Sequence, residues 1–315
     1  MRKHIKERIV TLAATVEEAG RYIVDCMEQK QPDQGLSVLE DVRQSALRMA
    51  ELVAQSEGQD HPIVNLLQEH CDLNLQCVRE TECEGQKKIA ECLLDGWKKI
   101  EEELKRNVSV RYEAIFLPYK ASMWDSLESV WLSAREDTDW DCYVMPIPYY
   151  DKNQDNTFGR LHYEGNLYPK YVPVTPFNEY NLEVRHPDVV FIHNPYDECN
   201  RVTSVHPAFY SSRIKKFTDL LVYIPYFICI DDVPEWHCLV PGVIHSDLVI
   251  VQSEKVRQTY IQVLSKELGW DEKTARRAGL YDKIQALGSP KIDKVLNTRR
   301  EDAALPEEWR EKIYG

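Results

Sequence analysis

Pro187-Asp-Val-Val-Phe-Ile-His-Asn-Pro-Tyr-Asp197 passes abruptly from a wholly apolar run, Val189–Ile192, to polar and turn-forming residues at His193. A short β-branched and aromatic run bounded by turn formers reads as a strand covered on both faces. Similar runs occur at Ala114–Leu117, Tyr143–Ile147, Leu220–Ile224, Leu248–Gln252 and Ile284–Leu287, so the strand here is taken as Val189–His193. Helix-like segments lie between them at Ala121–Arg135, Pro207–Phe217, Ser253–Lys266 and Lys291–Leu296. Strands alternating with helices at this spacing predict an α/β fold: a Rossmann-like, mainly parallel six-stranded sheet with right-handed crossovers, over residues 108–300.

Upstream the period changes. Ile5, Ile9, Leu12, Val16, Ala19, Ile23 and Cys26 alternate by four and three, the seam of shallowly packed helices. Leu39, Val42, Ala46, Met49 and Val53 continue the pattern, followed by a long third stretch in which Gly85 is a candidate break. Residues 1–107 therefore read as an all-α bundle or hairpin of three or four helices. His70, Cys71, Cys77, Cys83 and Cys92 do not place four ligands on one face, and they read as a core histidine and core thiols. This segment carries no chemistry. A helical partner or self-association is its expected role.

A chain of 315 residues suits two such domains. A net charge of −13 argues against a nucleic-acid partner, and the small basic cluster Arg213, Lys215 and Lys216 reads as a solvated helix face. Nine cysteines without a CxxC pair point to a reducing, cytoplasmic setting. The longest apolar stretch, around Leu220–Ile230, is broken by Tyr and Pro and is too short for a transmembrane segment, and the charged amino terminus is not followed by an apolar signal core.

Ligands of open parallel sheets sit beyond the carboxyl ends of the strands. Those ends carry Lys120 and Asp125, Tyr149, His193 with Asn194 and Asp197, Tyr226, Ser253 and Ser289. His193 has two readings: a general base or hydroxyl-orienting group, or a turn imidazole bonded to backbone. Ser253 and Ser289 occupy N-cap positions, which accounts for them without a ligand, although a helix N-terminus there could hold a phosphate. The Tyr-, Asn- and Pro-rich insertion 149–186 is either a binding loop for a small polyol or sugar, or an edge hairpin with His162, Tyr163, Glu164 and Gly165 near its tip. No GxGxxG or P-loop follows the first strand, and no HExxH or GxSxG is present, so no cofactor is expected in this chain.

The stretches Pro187–Asp197, Val202-Thr-Ser-Val-His-Pro207, Leu221-Val-Tyr-Ile-Pro-Tyr226, Ser246–Glu254 and Leu287-Gly-Ser-Pro-Lys-Ile-Asp293 together resemble the amino-terminal half of CDP-glycerol glycerophosphotransferase-like proteins, bacterial enzymes related to teichoic-acid polymerases. The likeness spans residues 112–300. It implies a GT-B architecture of two Rossmann-like halves, with residues 301–315 as a linker toward a second domain that binds the donor. The implied function is the acceptor side of a transferase of cell-surface polymer synthesis, inactive alone and peripheral to the membrane when complete. CDP-glycerol or another nucleotide-linked donor would react with a polyol, sugar or polymer acceptor. Better-known members carry a Trp-His-Gly catalytic base at a strand end. The corresponding place here reads Tyr223-Ile-Pro-Tyr226, and Trp236-His237-Cys238 lies further on without the glycine. His193 is then the candidate base, Lys120 the group that offsets phosphate charge, and Tyr149 and Tyr226 polyol contacts. The rival expectations are a non-catalytic ligand- or partner-binding module and a sugar-nucleotide glycosyltransferase.

Overall fold

The computed structural model describes residues 1–230, 232–299 and 307–314, and divides into two compact units, Met1–Tyr112 and Glu113–Gly315. The expected linker 301–315 lies outside the described residues except for a helix at Glu307–Tyr314.

The first unit is built from α1 (Lys3–Glu28), α2 (Pro32–Glu57), α3 (Pro62–Arg79) and α4 (Cys83–Asn107). Proline in the first turn starts α2 and α3. α1 and α3 each pack against both α2 and α4, so the heptad positions Ile9, Val16, Ile23, Leu39, Met49 and Leu67 meet in one core. The break before α4 falls at Glu80–Glu82 and not at Gly85. The Glu80 carboxylate accepts from the amides of Thr81 and Glu82 at 2.8 and 2.9 Å, and its carbonyl accepts from the Gln86 amide side chain at 2.7 Å. Local side-chain bonding therefore stops α3 before the glycine is reached. Cys71 and Cys77 are buried, but Cys83 and Cys92 are exposed and are not core thiols: Cys83 opens α4, and Cys92 precedes the inward-facing Leu93 on the outer side of that helix.

Polar groups are sealed in this unit at His70, Asn74 and Gln86. His70 Nδ1 accepts from the Asn74 amide at 3.1 Å, and the ring lies edge-on to Trp97 with centroids 5.3 Å apart. Burial pushes the imidazole down to about 4, so it is neutral at physiological pH. Trp97, 1 % exposed, donates from Nε1 to the Ala13 carbonyl at 3.0 Å and thereby ties α4 to α1.

The second unit contains β1 (Tyr112–Leu117), α5 (Glu128–Glu136), β2 (Trp140–Val144), β3 (Tyr149–Lys152), β4 (Phe158–His162), α6 (Leu182–Arg185), β5 (Val189–Ile192), β6 (Thr203–Val205), α7 (Ser211–Ile214), β7 (Leu220–Tyr223), α8 (Pro241–His245), β8 (Leu248–Val251), α9 (Glu254–Leu268), α10 (Glu272–Arg277), α11 (Leu280–Lys283), β9 (Ile284–Ala286), α12 (Pro290–Asn297) and α13 (Glu307–Tyr314). Six strands form one parallel sheet in the order β2-β1-β5-β7-β8-β9. Alternate residues feed two cores. Ile115, Leu117, Val190, Ile192 and Leu221 belong to the core that also takes Val256, Tyr260 and Ile261 of α9, while Phe116, Val189, Phe191 and Val222 share the other with Trp124, Leu127 and Trp131. Phe116 and Phe191 lie opposite each other in register and stack at 4.5 Å. The order reverses between β1 and β5, which makes that gap the switch point of the sheet.

Several boundaries differ from the sequence reading. β2 ends at Val144 because Pro146 and Pro148 have no amide to give the ladder, although Met145 and Ile147 still donate to the Phe116 and Pro118 carbonyls at 2.9 Å. The helix expected over 121–135 is a 3-10 turn at Ala121–Ser126 followed by α5. The insertion is a hairpin whose turn lies at residues 153–157, so His162–Gly165 sit at its foot and not at its tip; β6 completes an antiparallel sheet in the order β4-β3-β6. After β9 the chain returns across the unit, and α12 is clamped to the segment that follows β1. Lys291 Nζ reaches both oxygens of Asp125 at 2.7 and 2.6 Å, Ser129 Oγ donates to Asp293 at 2.7 Å, and Lys294 pairs with the buried Glu128 at 2.8 Å. Among the described residues, no helix is long and apolar enough to cross a membrane.

Trp97→Ala is expected to cost the helical unit about 3–5 kcal/mol in urea unfolding followed by far-UV circular dichroism. His70 binds its proton less readily folded than unfolded. Its contribution to stability is thus complete above pH ~6.5 and is lost as pH falls toward about 4. Repeating the urea titration on the wild type and on His70→Gln over that window should show a larger acid-side loss in the wild type than in the variant.

Candidate functional site

His193 closes the sheet at the switch point. It directly follows β5, has no exposed surface, and accepts at Nε2 from the Tyr119 amide at 3.0 Å. Nδ1 lies 2.8 Å from Ser126 Oγ, which itself donates to the Met123 carbonyl at 2.7 Å. This network assigns the proton to Nδ1. Burial, with Lys291 adding to it, pushes the imidazole down to about 3. Both ring nitrogens are committed to holding the loop after β1 against the end of β5. None remains for the base role expected from its position.

Around this plug stand tyrosines. Tyr119 and Tyr226 approach the imidazole edge-on at 5.6 and 6.0 Å. Lys120 Nζ lies 5.4 and 5.2 Å from the Tyr119 and Tyr149 ring centroids. Tyr149 donates to Glu164 Oε1 at 2.7 Å, and Glu164 Oε2 accepts from the Ala121 amide at 2.8 Å, so the foot of the hairpin is tied to the loop after β1. Burial pushes the Tyr119, Tyr149 and Tyr196 phenols up, which keeps them neutral donors.

A cleft of about 640 Å³ opens beside them, beyond the carboxyl ends of β5 and β7. Tyr196, Tyr226, Trp236 and Val240 make its apolar wall, and Cys199, Asn200 and Arg201 its polar rim. The volume is that of a small-molecule site. Trp236, on the 3-10 turn Glu235–Leu239, is 58 % exposed and lies 6.1 Å from Tyr196 between centroids. The turn Asn194–Asp197 carries Tyr196 into that wall. Asn194 Oδ1 accepts from the Tyr196 amide at 3.3 Å, and Asp197 holds a left-handed φ of 45°. Asp197 Oδ2 accepts from the Ser211 amide at 2.8 Å and hydroxyl at 2.6 Å, which anchors the turn to α7. α8 approaches from the other side: Gly242 donates to the Pro195 carbonyl at 2.8 Å, and a Cβ at Gly242 would lie 2.5 Å from Pro195 Cα.

The structure thus brings Tyr226 to the cleft, Asn194 and Asp197 to the buried turn that carries Tyr196, and His193, Lys120 and Tyr149 to the neighbouring tyrosine cluster. It does not gather the other three. Asp125 is taken by Lys291. Ser253 caps α9 by accepting from the Val256 amide at 3.4 Å. Ser289 stands at the N-cap of α12 without capping it, and its buried hydroxyl lines a water-sized space of about 10 Å³ near Gln252. Sequence reasoning missed Tyr196, Asn200, Arg201 and Trp236. Tyr196 lay inside a quoted motif, and Trp236 stood in a Trp-His pair that could be assigned to no strand end.

No family model matches the chain, and no curated protein matches it.

Gly242→Ala should push α8 off the Pro195 turn and cost about 1–3 kcal/mol by differential scanning calorimetry. His193→Ala leaves the buried Tyr119 amide without an acceptor, at about 1–3 kcal/mol besides the cavity. Faster exchange of the Tyr119 amide by NMR is the specific sign of that loss.

Proposed function

We propose that the α/β unit is the acceptor-side half of a transferase of the kind its sequence resembles, the CDP-glycerol glycerophosphotransferase-like enzymes, and that the cleft at Tyr196, Tyr226 and Trp236 seats the acceptor. The observation that carries this reading is an exposed indole face beside phenols, an amide and a guanidinium, beyond the carboxyl ends of parallel strands. An aromatic face stacks on the C–H face of a polyol or sugar, while phenol and amide groups bond its hydroxyls. Arg201 makes no ion pair among the described residues, so its fork is available to a phosphate on acceptor or donor. Lys120 stands nearer the switch point as a second source of positive charge. The donor is CDP-glycerol or another nucleotide-linked glycerol or sugar, and the helical unit recruits a helical partner or a second copy. A cytoplasmic setting, peripheral to the membrane, belongs to the same proposal.

The commitment of His193 to structure favours a second reading, a ligand-binding module without turnover. Two measurements separate them. Titration with glycerol 3-phosphate, followed by tryptophan fluorescence, should give a saturable change that Trp236→Ala abolishes and Arg201→Ala weakens by about tenfold. Labelled glycerol phosphate should pass from CDP-glycerol to an acceptor only if the unit belongs to a transferase. Binding without transfer leaves the module reading, and absence of saturable binding would sink both.

A further inference from the structure

A second cavity of ligand size lies away from the cleft, bounded by α8, the far end of α9 and α11. It holds about 550 Å³. Because α8 leads into β8 and α11 into β9, this cavity sits at the amino-terminal edge of the sheet, whereas the cleft lies beyond the carboxyl ends.

Its wall follows from how α9 stops. Gly269, at a left-handed φ of 66°, ends the helix, and the chain folds back so that the Trp270 amide donates to the Ser265 carbonyl at 2.8 Å. The Trp270 side chain then joins Ile244, Leu264, Leu268 and Leu280 around the cavity. Ile244 and Leu268 are 52 % and 50 % exposed, so two large apolar side chains are left to water on one cavity and not scattered over the surface.

One cation enters this wall. Lys283, the last residue of α11, donates from Nζ to the Ile244 carbonyl at 2.8 Å and makes no ion pair among the described residues. Burial holds its ammonium below the ordinary lysine range, with Asp247 opposing the shift and Lys215 adding to it. Asp247 is committed elsewhere: its Oδ2 accepts from Lys215 Nζ at 2.6 Å and from the Leu221 amide at 2.7 Å. An ammonium with donors to spare, set beside an apolar wall, is matched by a carboxylate carried on an apolar body.

We propose that this cavity binds an amphipathic monocarboxylate, its apolar body against Trp270, Ile244 and Leu268 and its carboxylate on Lys283 Nζ. One unpaired cation balances one negative charge. A phosphate dianion would bring a second charge, uncompensated, to a cavity that Asp247 and Glu267 also line. The site stands apart from the cleft and does not depend on the transferase reading.

The probe is decanoate below its micelle-forming concentration, titrated into the full chain by calorimetry, with decanol and decyl phosphate as comparisons. Decanoate should bind one-to-one and at least about tenfold more tightly than either. In nitrogen-15 NMR it should move the Trp270 indole signal, assigned by its loss in Trp270→Phe. Lys283→Met should bring decanoate down to the affinity of decanol while leaving decanol unchanged. A preference that survives Lys283→Met, decanol binding as tightly as decanoate, or a Trp270 signal that stays in place overturns the site. Tighter binding of decyl phosphate rules out the monocarboxylate. Should Lys283→Met not fold, Leu268→Glu at the exposed mouth decides: it should weaken decanoate at least about tenfold, and unchanged affinity counts against the proposal.

Discussion

The second unit depends on a neutral imidazole. At the one place where the order of the parallel strands reverses, the loops leaving β1 and β5 diverge, and the backbone amide of Tyr119 would be buried there without a partner. His193 supplies an acceptor on one nitrogen and a donor on the other, and so joins the end of β5 to both sides of the 121–126 turn, at Tyr119 and at Ser126. A protonated ring could not accept from the Tyr119 amide, which is why burial and geometry agree on the neutral form. The tyrosines and Lys120 take their places from the loop this bond fixes, and the turn after His193 carries Tyr196 into the cleft wall.

What could be read from the sequence follows from what is local. The inner strands β1, β5 and β7 are buried on both faces and the edge strands β2 and β9 only partly, yet all six runs are apolar enough that each strand was legible to within a few residues, and the heptads of α1 and α2 were equally plain. Helix breaks were harder because they turn on particular side chains: Glu80 stops α3 by bonding two amides ahead of it, and Pro146 shortens β2. Strand order was not legible, since nothing in Val189–Ile192 states that it pairs with both β1 and β7.

The candidate site was half legible for a related reason. The carboxyl-end rule led to His193, Asn194, Asp197 and Tyr226, but it could not distinguish a ring whose nitrogens are used by backbone and serine from one that is free. Conversely Arg201 and Trp236 come from loops well past the strand ends, and only folding brings them to one wall. The close approach at Gly242 could not be read either. A glycine after proline looks like punctuation, whereas here the absence of a side chain lets α8 lie on Pro195.

The clamp on α12 bears on how the unit comes to be folded. Lys291 and Asp125 are 166 positions apart in sequence, and the strand at one edge of the sheet is followed by a helix fastened to the segment beyond β1. Contacts this distant close a large loop and form late. On the ribosome, where the amino-terminal segments emerge first, the four-helix unit can pack while the α/β unit is still being made. Until α12 emerges, Asp125 and the buried Glu128 lack their lysines, and the segment beyond β1 stays unclamped.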